Sequence, residues 1–483
     1  MKPVFLQMFH KLIDNGILRL ICIDEVHQFV NFGASFRPEF GDLRRALFSK
    51  IVIKPNTDPQ FHESSPIPLG DGVLLKIPVL FMTATMNFDL LQQLQLLVGI
   101  KLLREMMLWG GRSTFKRRTV KMSMNIASKN LPIIICSTIR NIISSDIQKK
   151  LIIYTNTADQ ARSIAEEIDI VNDEKSLFKG DTLLIIGDQD PEVKHQSAQK
   201  FTMDMSNDAI EDSIKSNEFH PRVLVATSSC IGAGLDSDAV YGVIRIGFPT
   251  SILNLVQEMG RCGRNRSNNG LSPTDQFILN VTLNDFVYLH ERLFINVDEK
   301  VKNHKSRVIS YEMQRNKQMA DLDSVLKFLF LNKSCWHCYL ENIIGYPFEP
   351  CGDPNDICGG ACPVCCDAQN DFIMPARRDG LTSFLVQTFM RNDRNDKYPE
   401  YVLKQLEEFD KVGRVIYNRP RSDKPPDSKF LQATIFQLIA AEILQLNIDE
   451  NDGKGRLSVK LVGDEYKPSY MINSYWDKIN KIK

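Results

Sequence analysis

The chain has 483 residues, 43% of them hydrophobic and 24% charged, with a formal net charge of +0. That length calls for about three or four domains, and the apolar fraction is enough for sizeable cores. Zero net charge excludes a molecule whose whole field attracts phosphate, so any nucleic-acid contact must come from local patches. No apolar run approaches bilayer length, and the start of the chain lacks a secretory signal pattern.

Met1 to Asn15 carries Lys2, His10, Lys11 and Asp14 and predicts an amphipathic helix. Leu18 to Ile23 is a continuous apolar run ended by Asp24-Glu25. Val79 to Met82 is a second run, ended by Thr83-Ala84-Thr85. Between them, Lys54 to Gly72 is polar and contains proline, as in a surface loop. An acidic pair at a strand end suits Mg²⁺-nucleotide chemistry: the aspartate holds the ion, usually through water, and the glutamate polarises the attacking water. Asp24 and Glu25 fit those roles, and a helix N-terminus with favourable charge is the plainer alternative. The basic stretch Gly110 to Arg118 follows, either a solvated linker or a phosphate contact.

Leu151 to Tyr154 and Arg222 to Ala226 repeat the pattern of an apolar run followed by a polar turn, with a helical pattern at Ala158 to Ile168. Such alternation predicts a parallel sheet covered on both faces, with ligands at the carboxyl ends of its strands. Thr227 to Asp236 contains Gly232 and Gly234, which would let backbone approach phosphate closely. An ordinary strand-to-helix loop reads the same way. Gln257-Glu258-Met259-Gly260-Arg261-Cys262-Gly263-Arg264 sets two arginines about one helical turn apart. Guanidinium groups so placed can stabilise charge on a transferring phosphoryl group.

Asp298 to Leu331 is charged and helical in pattern. Of 11 cysteines, seven lie between Cys335 and Cys366, which implies one local site and a reducing compartment. They supply more thiols than one tetrahedral Zn²⁺ needs, and His337, Cys338, Cys351 and Cys366 compete as ligands. Cys22, Cys136, Cys230 and Cys262 are read as small buried thiols. Arg419 to Pro426 is a loop. Phe430 to Leu446 predicts an amphipathic helix and Leu457 to Val462 a strand, with a hairpin turn at Asp452-Gly453.

Asp24-Glu25-Val26-His27, continuing through Phe29, Phe32 and Phe36-Arg37-Pro38-Glu39-Phe40, resembles the RecQ family of DNA helicases. There a DExH box runs into an aromatic-rich loop. The resemblance implies that this loop senses single-stranded DNA, with Phe32 and Phe36 as stacking faces and Arg37 as a cation. Phe29 reads as core. Phe32 stands where the family has tryptophan, and Ala34-Ser35 where it has His-Asp. By the same resemblance Thr83 and Thr85 link hydrolysis to strand movement, and Thr227 contacts nucleic acid. His27, Gly234, Asp236 and Gln257 join Asp24, Glu25, Arg261 and Arg264 around ATP and Mg²⁺. Gln257 to Arg264 carries every defining residue of the family's motif VI. Cys335, Cys358, Cys362 and Cys365 match the family's zinc ligands, although the gap from Cys358 to Cys362 is one residue wider. A winged helix follows the zinc module in the family.

The expected fold class is therefore α/β. Residues 1–105 form an incomplete first RecA-like lobe and 106–297 a second. Residues 298–367 form a helical zinc module, and 368–483 a polar linker with a small α+β unit, possible as a winged helix. The implied function is ATP-dependent 3′-to-5′ DNA unwinding in recombination and repair, with single-stranded DNA and duplex junctions as partners. The implied location is the nucleus, or the cytoplasm of a prokaryote. Two alternatives stand beside it: a helicase-derived module that binds nucleic acid without hydrolysis, and an RNA helicase of the same superfamily. The phosphate loop Gly-x-x-x-x-Gly-Lys-Ser/Thr does not occur, since the one Gly-Lys pair is Gly453-Lys454. The family carries that loop upstream of the DExH box. Either a longer protein or a decayed copy is expected, and the 483 residues alone are expected to bind ATP poorly.

Overall fold

The computed structural model describes residues 3–27, 51–53, 67–68, 74–75, 77–83, 85–86, 88–98, 100–101, 107–108, 120–126, 131–143, 149–175, 178, 180–203, 222–228, 230, 235, 237, 239–263, 275–303, 308–332, 334–344, 362–364, 428–442, 444–448 and 455–459. It divides into two compact units. Unit 1 takes residues 1–116, 300–316 and 340–348, and unit 2 takes 117–299, 317–339 and 349–483.

Unit 1 begins with helix α1 (Pro3–Asp14) and strand β1 (Ile21–Ile23). The two-residue strands β2 (Val52–Ile53), β3 (Ile67–Pro68) and β4 (Leu74–Leu75) precede β5 (Val79–Phe81), helix α2 (Phe88–Val98) and β6 (Ile100–Lys101). Strands β1 and β5 pair in parallel, Ile21 with Val79 and Ile23 with Phe81. Alternation decides what they bury. Ile21, Ile23, Val79 and Phe81 pack on a small core of Ile13, Val26, Ile51, Ile77 and Leu94. Cys22, Leu80 and Met82 face outward and are exposed. The expectation of a buried Cys22 thiol is thus wrong, because Cys22 is the odd member of Ile21-Cys22-Ile23 and the core takes the other two.

Unit 2 is built on a six-stranded sheet. Its strands are β7 (Val120–Ile126), β8 (Lys150–Thr155), β9 (Thr182–Ile185), β10 (Val223–Thr227), β11 (Val240–Ile246) and β12 (Asp275–Val281). The order across the sheet is β7-β12-β11-β8-β10-β9, and every pairing is parallel. Helices α3 (Leu131–Ile143) and α4 (Ala158–Lys175) cover one face. Leu151, Ile153, Val223, Val225, Ile244 and Ile246 point into that layer. Their alternates Ile152, Tyr154, Leu224, Ala226, Val243 and Arg245 are buried too. Both faces are therefore covered, as parallel sheets require. Gly242 lets α3 approach the sheet: a Cβ there would lie 2.8 Å from Ile142 Cδ1 and 3.2 Å from Leu151 Cδ1.

Local chemistry starts the remaining helices. The Gln160 N–H donates to Thr157 Oγ1 at 3.1 Å ahead of α4. Asp190 caps α5 (Pro191–Thr202), whose first residue is proline. Ser251 caps α6 (Ile252–Met259), its hydroxyl accepting from Asn254 N–H at 3.1 Å. Helices α7 (Leu283–Asn303), α8 (Val308–Phe330) and α9 (Trp336–Ile343) follow, then α10 (Ser428–Ala440) and the antiparallel pair β13 (Leu444–Ile448) and β14 (Gly455–Val459). Within unit 2, Phe248, Phe286, Phe330 and Phe436 form one aromatic cluster. The Gln432 side chain accepts from the Leu283 N–H at 2.8 Å, so α10 is tied to the start of α7.

The expected helix from Phe430 to Leu446 is shorter at its end. Glu442 adopts φ 61°, which stops α10, and Leu444 to Leu446 belong to β13. The expected hairpin pairs those residues with β14, while its turn at Asp452-Gly453 lies outside the described residues. Among the described residues no helix is long and apolar enough to cross a membrane.

Candidate nucleotide and nucleic-acid site

The carboxyl ends of β1 and β5 bring five expected residues together in unit 1. The Met82 N–H donates to Ile23 O at 2.8 Å, and the Val26 N–H to Met82 O at 3.1 Å, so the two strand exits are laced to each other. Asp24 is exposed, and its carboxylate accepts from the Glu25 N–H at 2.8 Å. Glu25 sits at φ 51°, in the left-handed region that a glutamate rarely occupies. Strain of this kind gathers at functional sites, where surrounding contacts must hold it.

His27 supplies such contacts. It is 3% exposed. Its Nδ1 lies 2.8 Å from Thr83 Oγ1, 3.4 Å from Thr85 Oγ1 and 3.2 Å from Glu25 Oε2. Burial lowers its pKa to about 4, against the opposing pull of Asp24. The ring is therefore neutral at pH 7, so its 3.2 Å approach to Glu25 Oε2 is not an ion pair. Thr83 Oγ1 also accepts from the Thr85 N–H at 3.2 Å. The acidic box and the threonine turn thus share one imidazole.

In unit 2, Gln257 lies on α6 and Arg261 in the turn after it. The Arg261 guanidinium donates to Leu235 O at 2.8 Å, which fixes the turn to the segment that follows β10. Thr227 ends β10, and its hydroxyl lies 3.0 Å from Cys230 Sγ. Gly234, Asp236, Arg264, Phe32, Phe36 and Arg37 lie outside the described residues.

A second buried system was not read from the sequence. Arg245 is fully buried, and its Nε lies 3.4 Å from Glu258 Oε2. Arg245 also donates to Phe248 O at 2.8 Å and to the Asn156 side chain. Glu258 accepts from the Ser228 hydroxyl. Burial pushes the Glu258 carboxyl above its usual range, opposed by Arg245 and the Ser228 hydroxyl. Burial pulls Arg245 down, opposed by Glu258 and Asp285, but a guanidinium stays charged. One signal was available: an arginine inside the apolar run Val243-Ile244-Arg245-Ile246 must find a carboxylate.

Cys335, His337 and Cys362 form a third cluster in unit 2. All three are buried, and their ligand atoms lie within 4.8 Å of one another. Cys335 Sγ and Cys362 Sγ are 3.7 Å apart. A tetrahedral Zn²⁺ with Zn–S of about 2.3 Å sets two sulfurs about 3.8 Å apart, so the donor pair fits that ion. Cys358 and Cys365, the other two expected ligands, lie outside the described residues. His337, earlier only a competitor, stands with the pair.

Comparison with known proteins bears on unit 2. Residues 134–266 match the Helicase conserved C-terminal domain. That span runs from within α3 through the turn bearing Arg261, so the matched stretch includes β8 to β11, Thr227, Gln257 and the Arg245–Glu258 pair. No curated protein matches the chain. Among solved structures, the chain is similar at 13% identity and a TM-score of 0.32 to Mycobacterium smegmatis helicase Lhr bound to ssDNA and AMP-PNP, covering 92% of this chain and 41% of that one. S. cerevisiae Dbp5 bound to RNA and ADP BeF3 gives 13% identity, a TM-score of 0.33, and coverage of 58% and 59%. T. fusca Cas3 with ADP gives 12%, 0.35, and coverage of 62% and 38%. The chain thus spans less than two thirds of each of these helicases.

Proposed function

We propose that the chain is the larger part of a RecQ-like, ATP-dependent 3′-to-5′ DNA helicase that serves recombination and repair in the nucleus. The observation that carries this reading is the neutral His27 ring shared by Glu25, Thr83 and Thr85, in a chain whose residues 134–266 match a helicase C-terminal domain. An acid whose position depends on a threonine turn is what coupling of hydrolysis to movement requires. Asp24 would hold Mg²⁺ through water, and Glu25 would polarise the attacking water. Mg²⁺ would neutralise charge on the phosphates. Arg261 and Arg264 would stabilise the transferring phosphoryl group, with Gln257 positioning them and His27, Gly234 and Asp236 lining the nucleotide.

Phe32, Phe36, Arg37, Thr83, Thr85 and Thr227 would carry single-stranded DNA. The choice of DNA over RNA rests on Phe36-Arg37-Pro38-Glu39 and on the cysteine cluster. The division into a partial first lobe (1–105), a second lobe (106–297), a zinc module (298–367) and a C-terminal winged-helix unit (368–483) belongs to the same reading. Strand displacement checks it. With the family's upstream phosphate-loop segment joined to this chain, a duplex with a 3′ single-stranded DNA tail should be opened in the presence of ATP, and a 5′-tailed duplex or an RNA duplex should not. Equal opening of DNA and RNA would move the assignment to the wider superfamily.

Zn²⁺ would hold the 335–365 segment structurally, through Cys335 and Cys362 with two of Cys358, Cys365 and His337. Atomic emission should find about one zinc per chain, reduced in Cys362→Ser. A metal-free, well-folded chain would remove the ion from this account.

A further inference from the structure

Residues from three strands meet at one buried charge pair, Arg245 with Glu258. Asn156 follows β8, Ser228 follows β10, and Arg245 lies in β11. Glu258, on the helix that bears Gln257, accepts from Ser228 through Oε1 and faces Arg245 through Oε2 at 3.4 Å. Arg245 carries the connection onward to the Asn156 side chain and to Phe248 O at 2.8 Å. The backbone is shaped around this junction. Gly247 sits at φ +80°, and a Cβ there would lie 2.7 Å from Asn156 Nδ2, inside contact distance.

Such a group is costly to bury, so its placement demands a reason beyond filling space. Glu258 is 4% exposed and Arg245 is fully buried. The geometry supplies that reason. Residue 257 and residue 261, both expected at the nucleotide, flank Glu258 on the same helix and turn. Thr227, expected at the nucleic acid, directly precedes Ser228. Arg261 is fastened to the same post-β10 segment at Leu235 O, 2.8 Å away. The arginine-bearing turn is therefore pinned at two points to the loop next to Thr227.

We infer that Glu258 is a positioning residue that, through Ser228, makes the Gln257–Arg261 turn move with the post-β10 loop, so that nucleic acid at Thr227 is felt at Arg261. This rests on the proposed function for its two ends, and on the hydrogen bonds within unit 2 for the link itself. A rigid charge pair suits that task.

The test uses the full chain, a fluorescent dT20 oligonucleotide, and hydrogen exchange of the peptides 223–239 and 252–263. In the wild type, dT20 should slow exchange in both peptides. In Ser228→Ala, dT20 should bind within about threefold of wild type and still protect 223–239, while protection of 252–263 falls by half or more. Ser228→Thr, which restores a hydroxyl, should recover it. Undiminished protection of 252–263 in Ser228→Ala overturns the inference, and so does a wild type in which 223–239 responds and 252–263 does not. If neither dT20 nor an rU20 control binds, the functional reading fails and the free proteins decide the link. Several-fold faster exchange of 252–263 in Ser228→Ala, with 150–175 unchanged, supports it, and equal rates in both proteins overturn it.

Discussion

The two units hold their chemistry in opposite ways. In unit 1 the expected acids stand at the end of a two-strand pair, Asp24 exposed and Glu25 strained, with one imidazole against Glu25, Thr83 and Thr85. In unit 2 the corresponding turn is seated on a six-stranded sheet with both faces covered, and its anchor is a fully buried ion pair. The difference teaches where precision comes from. A parallel sheet fixes strand exits only when its neighbours fix the strands, so the acidic site depends on few local contacts while the arginine turn inherits the rigidity of a domain core.

The largest effect should come from breaking the anchor of unit 2. Arg245→Met leaves Glu258 buried without its cation, which should cost about 3–5 kcal/mol in denaturant unfolding followed by fluorescence of the buried Trp336. The double variant Arg245→Met/Glu258→Leu should regain most of that loss. A double variant as unstable as the sum of its parts would mean that the two residues do not act as a pair.

The anchor of unit 1 should respond to pH instead. The His27 pKa is depressed to about 4 from an ordinary value of 6.5. Unfolded chain therefore binds the proton more readily, so stability is fully present above pH 6.5 and is lost as pH falls toward 4. The loss amounts to about 3 kcal/mol over that window. An NMR titration of the ring should give a midpoint near 4. A midpoint near 6.5 would show that the ring is open to solvent and that Glu25 lacks its anchor.

Legibility in the sequence followed burial. Leu151 to Tyr154 and, after Arg222, Val223 to Ala226 could be read as strands because both sides of each are buried, so every residue in them is apolar. Helix α4 announced itself through Ala161, Ile164, Ala165 and Ile168. Asp24, Glu25, Thr83 and Thr85 were legible as strand-end clusters. What they could not reveal was the hand of His27, since only the fold brings residue 27 within 2.8 Å of residue 83. Cys22 misled because a three-residue apolar strand with one exposed face looks like one with two buried faces. The end of α10 misled because helix and strand share apolar residues there, and only the positive φ at Glu442 separates them. Arg245 escaped because its carboxylate is remote in sequence: Glu258 lies on α6, and Asn156 follows another strand.

The central claim is that Glu25 acts in nucleotide hydrolysis driven by nucleic acid. The most direct measurement is ATP hydrolysis, with and without single-stranded DNA, by this chain joined to the phosphate-loop segment that the family carries upstream of the DExH box, in the wild type and in Glu25→Gln. The account predicts hydrolysis that DNA stimulates and that Glu25→Gln reduces on the order of a hundredfold or more, with DNA binding retained. Hydrolysis that ignores DNA, or that survives in Glu25→Gln, would contradict it.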